Sequence, residues 1–184
     1  MGDTVRIARD LLGKILVRPY AGEWLAGMIV ETEAYLGERD PASHAYRGRT
    51  PRTELMYGPP GFSYVYLIYG MYYCLNFVTE PAGKAAAVLI RALEPVAGLS
   101  TMQRLRRTNR VEQLTSGPGK LCQAMAIDFR LNGVDLTGDQ LFVVEGEYFT
   151  DDQIIQTTRI GIRSATDKPW RFYIKGNPFV SVRK

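Results

Sequence analysis

Strand-like segments follow one another in this chain with short links, and that spacing constrains the fold more than any single motif. Residues 15–17 and 26–33 flank the turn-forming pair Ala21-Gly22. Residues 62–69 and 72–78 flank Gly70, and 86–93 follow closely. Segments 141–144, 158–163 and 171–174 read as further short strands. Parallel neighbours need crossovers of a dozen or more residues, so short links point to antiparallel pairs. Helical patterns are fewer. Asp3 or Thr4 can cap a helix with Val5, Ala8, Leu11 and Leu12 on one face, ended by Gly13. Pro95 is expected to begin a second helix carrying Leu99, Met102 and Leu105, and Ser116-Gly117-Pro118 a third carrying Leu121 and Met125. The expected fold is α+β: a single domain over residues 1–184, with a curved, mostly antiparallel β-sheet, surrounding helices and a protruding β-hairpin.

Composition bounds the function. The 184 residues are enough for a real core, and 46% are hydrophobic against 23% charged. No apolar run approaches the ~20 residues that span a bilayer. Residues 1–10 contain acidic side chains and no long apolar stretch, so no secretion signal is expected and the reading is a cytoplasmic, bacterial protein without a membrane partner. Cys74 and Cys122 sit in apolar segments and read as reduced core thiols. The net charge of +4 permits a nucleic-acid partner. Its basic residues cluster, as Arg47, Arg49 and Arg52, and as Arg104, Arg106, Arg107 and Arg110.

Four segments carry candidate chemistry. In Val30-Glu31-Thr32-Glu33-Ala34-Tyr35, strand periodicity puts Glu31, Glu33 and Tyr35 on one face. Two carboxylates raise each other's pKa unless a cation compensates; a solvated strand face is the plainer alternative. His44, the only histidine, follows soon after. The second segment, residues 62–73, holds five of the eleven tyrosines. Tyr64, Tyr66 and Ile68 would face one way, with Tyr69 and Met71 at a hairpin tip. A large side chain there can wedge between base pairs, or the segment is simply an aromatic core hairpin. Third, Arg91 interrupts an apolar run and needs an anionic partner: Glu31, Glu33 or a phosphate. Fourth, Ser116-Gly117-Pro118-Gly119-Lys120 departs from the Walker spacing but can seat one phosphate on backbone N–H groups, or merely cap a helix.

Together these segments resemble the alkyladenine (3-methyladenine) DNA glycosylase family. The resemblance runs in order through Val30 to Gly37 with His44, Arg49-Thr50-Pro51-Arg52, Tyr64-Val65-Tyr66, Tyr69-Gly70-Met71-Tyr72, Asn76, the Leu89 to Pro95 run, Ser116 to Ala124 and Arg171-Phe172-Tyr173 with Pro178. It implies a monofunctional glycosylase of base-excision repair that flips alkylated or deaminated purines out of duplex DNA. By resemblance Glu33 is the general base and Arg91 its pocket-side arginine. Tyr35, His44, Tyr66 and Asn76 bind the base, Tyr69 fills the gap in the duplex, and Arg49, Met56, Met71 and Lys120 meet DNA. Tyr46 stands where a smaller residue is expected, and 108–115 is shorter than in longer relatives. No cofactor, no metal and a monomeric state are expected. No lysine lies near the glutamate and tyrosine motifs, so the nucleophile is expected to be water. Two competing readings are a nuclease holding Mg²⁺ or Mn²⁺ on Glu31, Glu33, Asp40 and His44, and a single-strand-binding module that uses the tyrosines as a stacking platform.

Overall fold

Side chains alternate in direction along a strand, so the sheet has one face towards a cavity and one towards the core, and its central strands are buried on both. The computed structural model describes residues 3–181; Met1 and Gly2, part of the stretch read as lacking a secretion signal, lie outside them. Helix α1 (Thr4–Asp10) starts where the Asp3 carboxylate accepts the Val5 N–H. Strands β1 (Ile15–Tyr20) and β2 (Glu23–Tyr35) form a hairpin whose turn residues Ala21 and Gly22 both have positive φ. Two positive-φ residues match the right-handed twist of the strands they join. Strands β3 (Ser63–Ile68) and β4 (Tyr72–Val78) make the second hairpin, and β5 (Ala87–Ala97) follows. Helices α2 (Leu99–Arg106) and α3 (Pro118–Ala124) come next, then β6 (Phe142–Val144), β7 (Ile154–Thr157) and β8 (Arg171–Ile174).

The main sheet runs β3-β4-β5-β2-β1-β6, with β8 paired to β2 and to β7, and every ladder is antiparallel. The expected α+β architecture is what the chain adopts. One face carries the core: Ala8 of α1, Ile29, Val30 and Ala34 of β2, Val88 and Ile90 of β5, and Leu121 and Cys122 of α3. The Thr32 hydroxyl donates to the Ala8 carbonyl and fixes α1 to β2. The hairpin tip stands clear of this body, with Tyr69 82% exposed. Among the described residues, no helix is long and apolar enough to cross a membrane.

Two segments differ from the sequence reading. Pro95 does not begin α2; it lies inside β5 opposite Gly27, beside a register shift, where its missing N–H breaks no regular ladder. The helix starts after Gly98, whose φ of +77° turns the chain out of the strand. Residues 158–163 form a loop rather than a strand, because their polar groups are drawn to the site described below. Residues 37–53 contain the short 3-10 turns Gly37–Arg39 and His44–Arg47.

Candidate active site

Four neighbouring strands turn the same face towards one cavity of about 530 Å³, a size typical of small-molecule sites. Strand periodicity selects the lining: Tyr64, Tyr66 and Ile68 from β3, Tyr72, Cys74 and Asn76 from β4, Ala87, Leu89 and Arg91 from β5, and Tyr35 from β2. The 158–163 loop closes one side with Ile160, Gly161 and Ile162, and the start of α3 closes another with residues 117–120. A Cβ at Gly119 would lie 3.0 Å from the Tyr72 Cβ, a tight contact that Tyr72 would have to relieve by a small shift.

Two β-bulges aim the charged groups. Ile29 faces Leu93 and Glu31 faces Ala92, so Val30 is the extra residue on β2; Thr32 faces Ile90, so Arg91 is the extra residue on β5. Bulges redirect side chains and commonly border active sites. Here they bring Arg91 against both glutamates. Its Nε donates to Glu31 Oε1 at 3.2 Å and its Nη1 to Glu33 Oε2 at 3.3 Å. Of the partners weighed for Arg91, the free protein uses both carboxylates.

The two glutamates, alike in sequence, differ in surroundings. Glu31 is fully buried and serves the frame: it accepts from Arg171 Nε at 2.7 Å and from the Ser181 N–H at 2.7 Å, and so ties β8 and the chain's final turn to β2. Glu33 is also fully buried, behind the cavity wall. Its Oε1 accepts the Ile160 N–H at 2.7 Å, and its Oε2 accepts the Tyr35 hydroxyl at 2.8 Å. Burial raises the Glu33 pKa above the usual carboxylate value; Arg91 and these two hydrogen bonds oppose the rise. Burial also pushes the Tyr35 and Tyr66 phenols well up, so both rings stay neutral.

His44 sits at the cavity mouth. Its Nδ1 lies 3.1 Å from the Tyr64 hydroxyl, and its ring meets Tyr66 edge-on at 4.4 Å between centroids. The ring keeps an accessible edge, yet protein crowding and the Arg52 cation lower its pKa to about 4. The Asn76 amide nitrogen donates to the Tyr64 carbonyl at 3.1 Å, which fixes the side chain in the cavity wall.

The remaining candidates spread outward. Tyr69, with φ of +55°, and Gly70, with φ of +69°, form the exposed tip, beside exposed Met71. Met56 is buried and belongs to the cavity wall. Arg49 is exposed and held bidentately by Glu54. Lys120 lines the cavity, its Nζ 3.5 Å from Ser116 Oγ; the fold brings a lysine to the motifs from which the sequence separates it. Sequence reasoning missed the 158–163 loop altogether, because Arg159-Ile160-Gly161-Ile162 carries an apolar alternation that mimics a strand. The four side chains of the metal-nuclease reading do not converge. Glu31 and Glu33 hold arginines, Asp40 holds Arg159, and His44 faces the tyrosines. Among the described residues, no group of three such ligands is placed to bind a metal.

An aromatic slot in front of an arginine-held carboxylate suits a hydrolase that must stabilise an oxocarbenium-like sugar. Known sequences narrow that class. The profile of the methylpurine-DNA glycosylase family matches residues 1–178. A protein of Carboxydothermus hydrogenoformans, provisionally named 3-methyladenine DNA glycosylase, is 54% identical over 98% of this chain and 95% of its own length. Proteins with the same provisional name from Alkaliphilus oremlandii and Prosthecochloris aestuarii are each 51% identical, over 97% of this chain and 94% and 86% of their own. The chain belongs to the methylpurine-DNA glycosylase family, and it is a DNA glycosylase, a hydrolase of N-glycosyl bonds.

Proposed function

We propose that the protein takes a damaged purine out of duplex DNA, holds it between Tyr35 and Tyr66, and releases it by attack of a water that Glu33 deprotonates. The observation that carries this reading is the Glu33 carboxylate, buried yet held by Arg91, Tyr35 and the Ile160 N–H at the back of an aromatic cavity. A base inside a duplex offers no access to its glycosidic bond, so it must be unstacked at a cost of a few kcal/mol. Tyr69, exposed on a fixed turn, offsets that cost by filling the gap. Stacking adds about 1–3 kcal/mol per aromatic face, and a cationic alkylated purine gains more from those faces. His44, neutral at physiological pH, and Asn76 read the edge of the base.

A cationic alkylated purine leaves as a neutral base, so its release needs one proton transfer, from the water to Glu33; a neutral purine such as hypoxanthine must also take up a proton as it departs. Among the described residues Glu33 Oε1 accepts one hydrogen bond, from Ile160, which leaves a lone pair for the water. As the C1′–N bond breaks, the carboxylate stabilises the positive sugar and accepts the proton of the attacking water; the purine leaves with the bonding electron pair and an abasic site remains. The raised pKa makes Glu33 a stronger base than an exposed carboxylate, while Arg91 opposes the rise and favours the ionised form.

The test is base release from duplex oligonucleotides carrying 3-methyladenine, 7-methylguanine, hypoxanthine or ethenoadenine, in EDTA, read by alkaline cleavage of abasic sites. At least one lesion is expected to be released, and Glu33→Gln should abolish release while DNA binding survives. Unchanged single-turnover excision by Glu33→Gln would remove Glu33 from this role. Loss of activity in EDTA would favour the nuclease, and tight binding of undamaged single strands without release would favour the stacking module.

A further inference from the structure

Behind Tyr35 lies a second buried ion pair that the chemistry above leaves without a task. The Arg159 guanidinium and the Asp40 carboxylate are both fully buried. Arg159 Nη1 donates to Asp40 Oδ2 at 2.5 Å and to the Ala34 carbonyl at 2.9 Å, and Nη2 donates to Asp40 Oδ1 at 2.8 Å. The same guanidinium carbon lies 4.7 Å from the centre of the Tyr35 ring and 4.9 Å from that of Trp170. Its Nε has no hydrogen-bond partner among the described residues. A buried cation desolvated at this cost is over-equipped for simple packing.

Arg159 touches or adjoins several pieces that shape the back of the cavity. Ala34 and Tyr35 end β2. Asp40 accepts the Leu36 and Ala42 N–H groups and so folds the turn leading to His44. Ile160, the next residue along, donates its N–H to Glu33. Arg159 itself does not line the cavity. A planar fork that stacks on one ring and grips a carboxylate with two donors fixes both in one orientation, which a lysine cannot do.

We infer that Arg159 is a positioning residue: clamped by Asp40, it sets the plane of Tyr35 from behind and places the Ile160 N–H on Glu33. This rests on the reading of Glu33 and Tyr35 given above. It carries two consequences. Loosening Arg159 frees the Tyr35 ring and weakens capture of the flipped base. It also moves the Ile160 N–H away from Glu33, removing one of the interactions that oppose the rise in the Glu33 pKa.

Two variants test the inference. Arg159→Lys keeps the charge and loses the fork and the stacking plane. Arg159→Met combined with Asp40→Leu removes both charges, so no orphan charge is left inside. Single-turnover base release is measured across pH on the folded fraction, beside the wild type. Both variants should slow release about tenfold or more, and the acid limb of the profile should move to higher pH. A purely structural pair would lower Tm and leave both the rate per folded molecule and the acid limb in place. That result in whichever variant folds would overturn the inference. If neither folds, the pair is structural and the inference fails. A wild type that releases no base would instead sink the glycosylase chemistry of Glu33 itself.

Discussion

Single residues decide what this site can do, and the contrast between Glu31 and Glu33 is the clearest case. Each is fully buried and each binds Arg91, yet Glu31 spends its remaining acceptors on Arg171 and Ser181, whereas Glu33 spends them on Tyr35 and Ile160 at the cavity. In the proposed reaction Glu33 acts ionised, and its pKa lies above the ordinary value, so the rate of base release should fall as pH drops through that raised pKa. His44, with a pKa of about 4, is already neutral above that limb. His44→Gln should therefore weaken base capture and leave the acid limb where it is, as a pH–rate profile would show; a shifted limb would assign it to the histidine. Lys120 borders the cavity, so its part in the chemistry needs its own check. With water as the nucleophile, borohydride added during turnover should trap no covalent protein–DNA adduct, and a trapped adduct would point to lysine. The sequence showed the Glu33–Tyr35 face by alternation alone. It could not show which glutamate serves the frame, because that depends on residues 171 and 181, far along the chain.

At the scale of elements, the β3–β4 hairpin joins a regular antiparallel ladder to a locally strained tip. Tyr69 holds a left-handed backbone at a φ of +55°, a region that costs an L-residue about 1–2 kcal/mol relative to the right-handed one. Asparagine tolerates it better. Tyr69→Asn is expected to leave the folded protein as stable or more stable, by up to about 1 kcal/mol in denaturant unfolding. The same variant should release a damaged base from a fully paired duplex more slowly, with a smaller effect on an unpaired lesion. Equal losses on both substrates would deny Tyr69 its wedge role. The hairpin was legible because Gly70 and the alternating tyrosines are local signals. The start of α2 was not: Pro95 suits a first helical turn, and only its cross-strand neighbour Gly27, distant in sequence, lets it stay in β5. Residues 158–163 were misread for a related reason. Their apolar period of two was real, but the Ile160 N–H that a strand would give to a neighbour goes to Glu33 instead.

Across the whole molecule, the interior carries two sets of buried charges, Glu31, Glu33, Arg91 and Arg171 in one and Asp40 with Arg159 in the other. Desolvation makes such groups poor sources of stability. For Glu33 the sign follows from linkage. Its folded pKa exceeds its unfolded one, so the stability linked to it is fully present below the unfolded pKa and is lost as pH rises through the folded pKa. Ionised Glu33 therefore destabilises the fold at neutral pH. Glu33→Gln should raise Tm in neutral to mildly alkaline buffer, and the gain should shrink as the buffer is made acidic. A lower Tm at every pH would show that the pairing with Arg91 outweighs the burial. The β1–β2 and β3–β4 hairpins were legible because their links are short, whereas the β2–β5, β1–β6 and β2–β8 ladders join segments far apart in sequence. The network was not, since it joins positions whose only shared property is their place in the finished sheet.

The tie between Glu31 and the N–H and hydroxyl of Ser181 has a consequence for how the protein is made. Glu31 is made before the groups that neutralise and fasten it, Arg91, Arg171 and Ser181, which follow 60, 140 and 150 residues later. Pairings this remote in sequence close late and slowly. A chain interrupted before Ser181 lacks two of the donors that fasten Glu31, so Arg91 and Arg171 would then meet its charge without them.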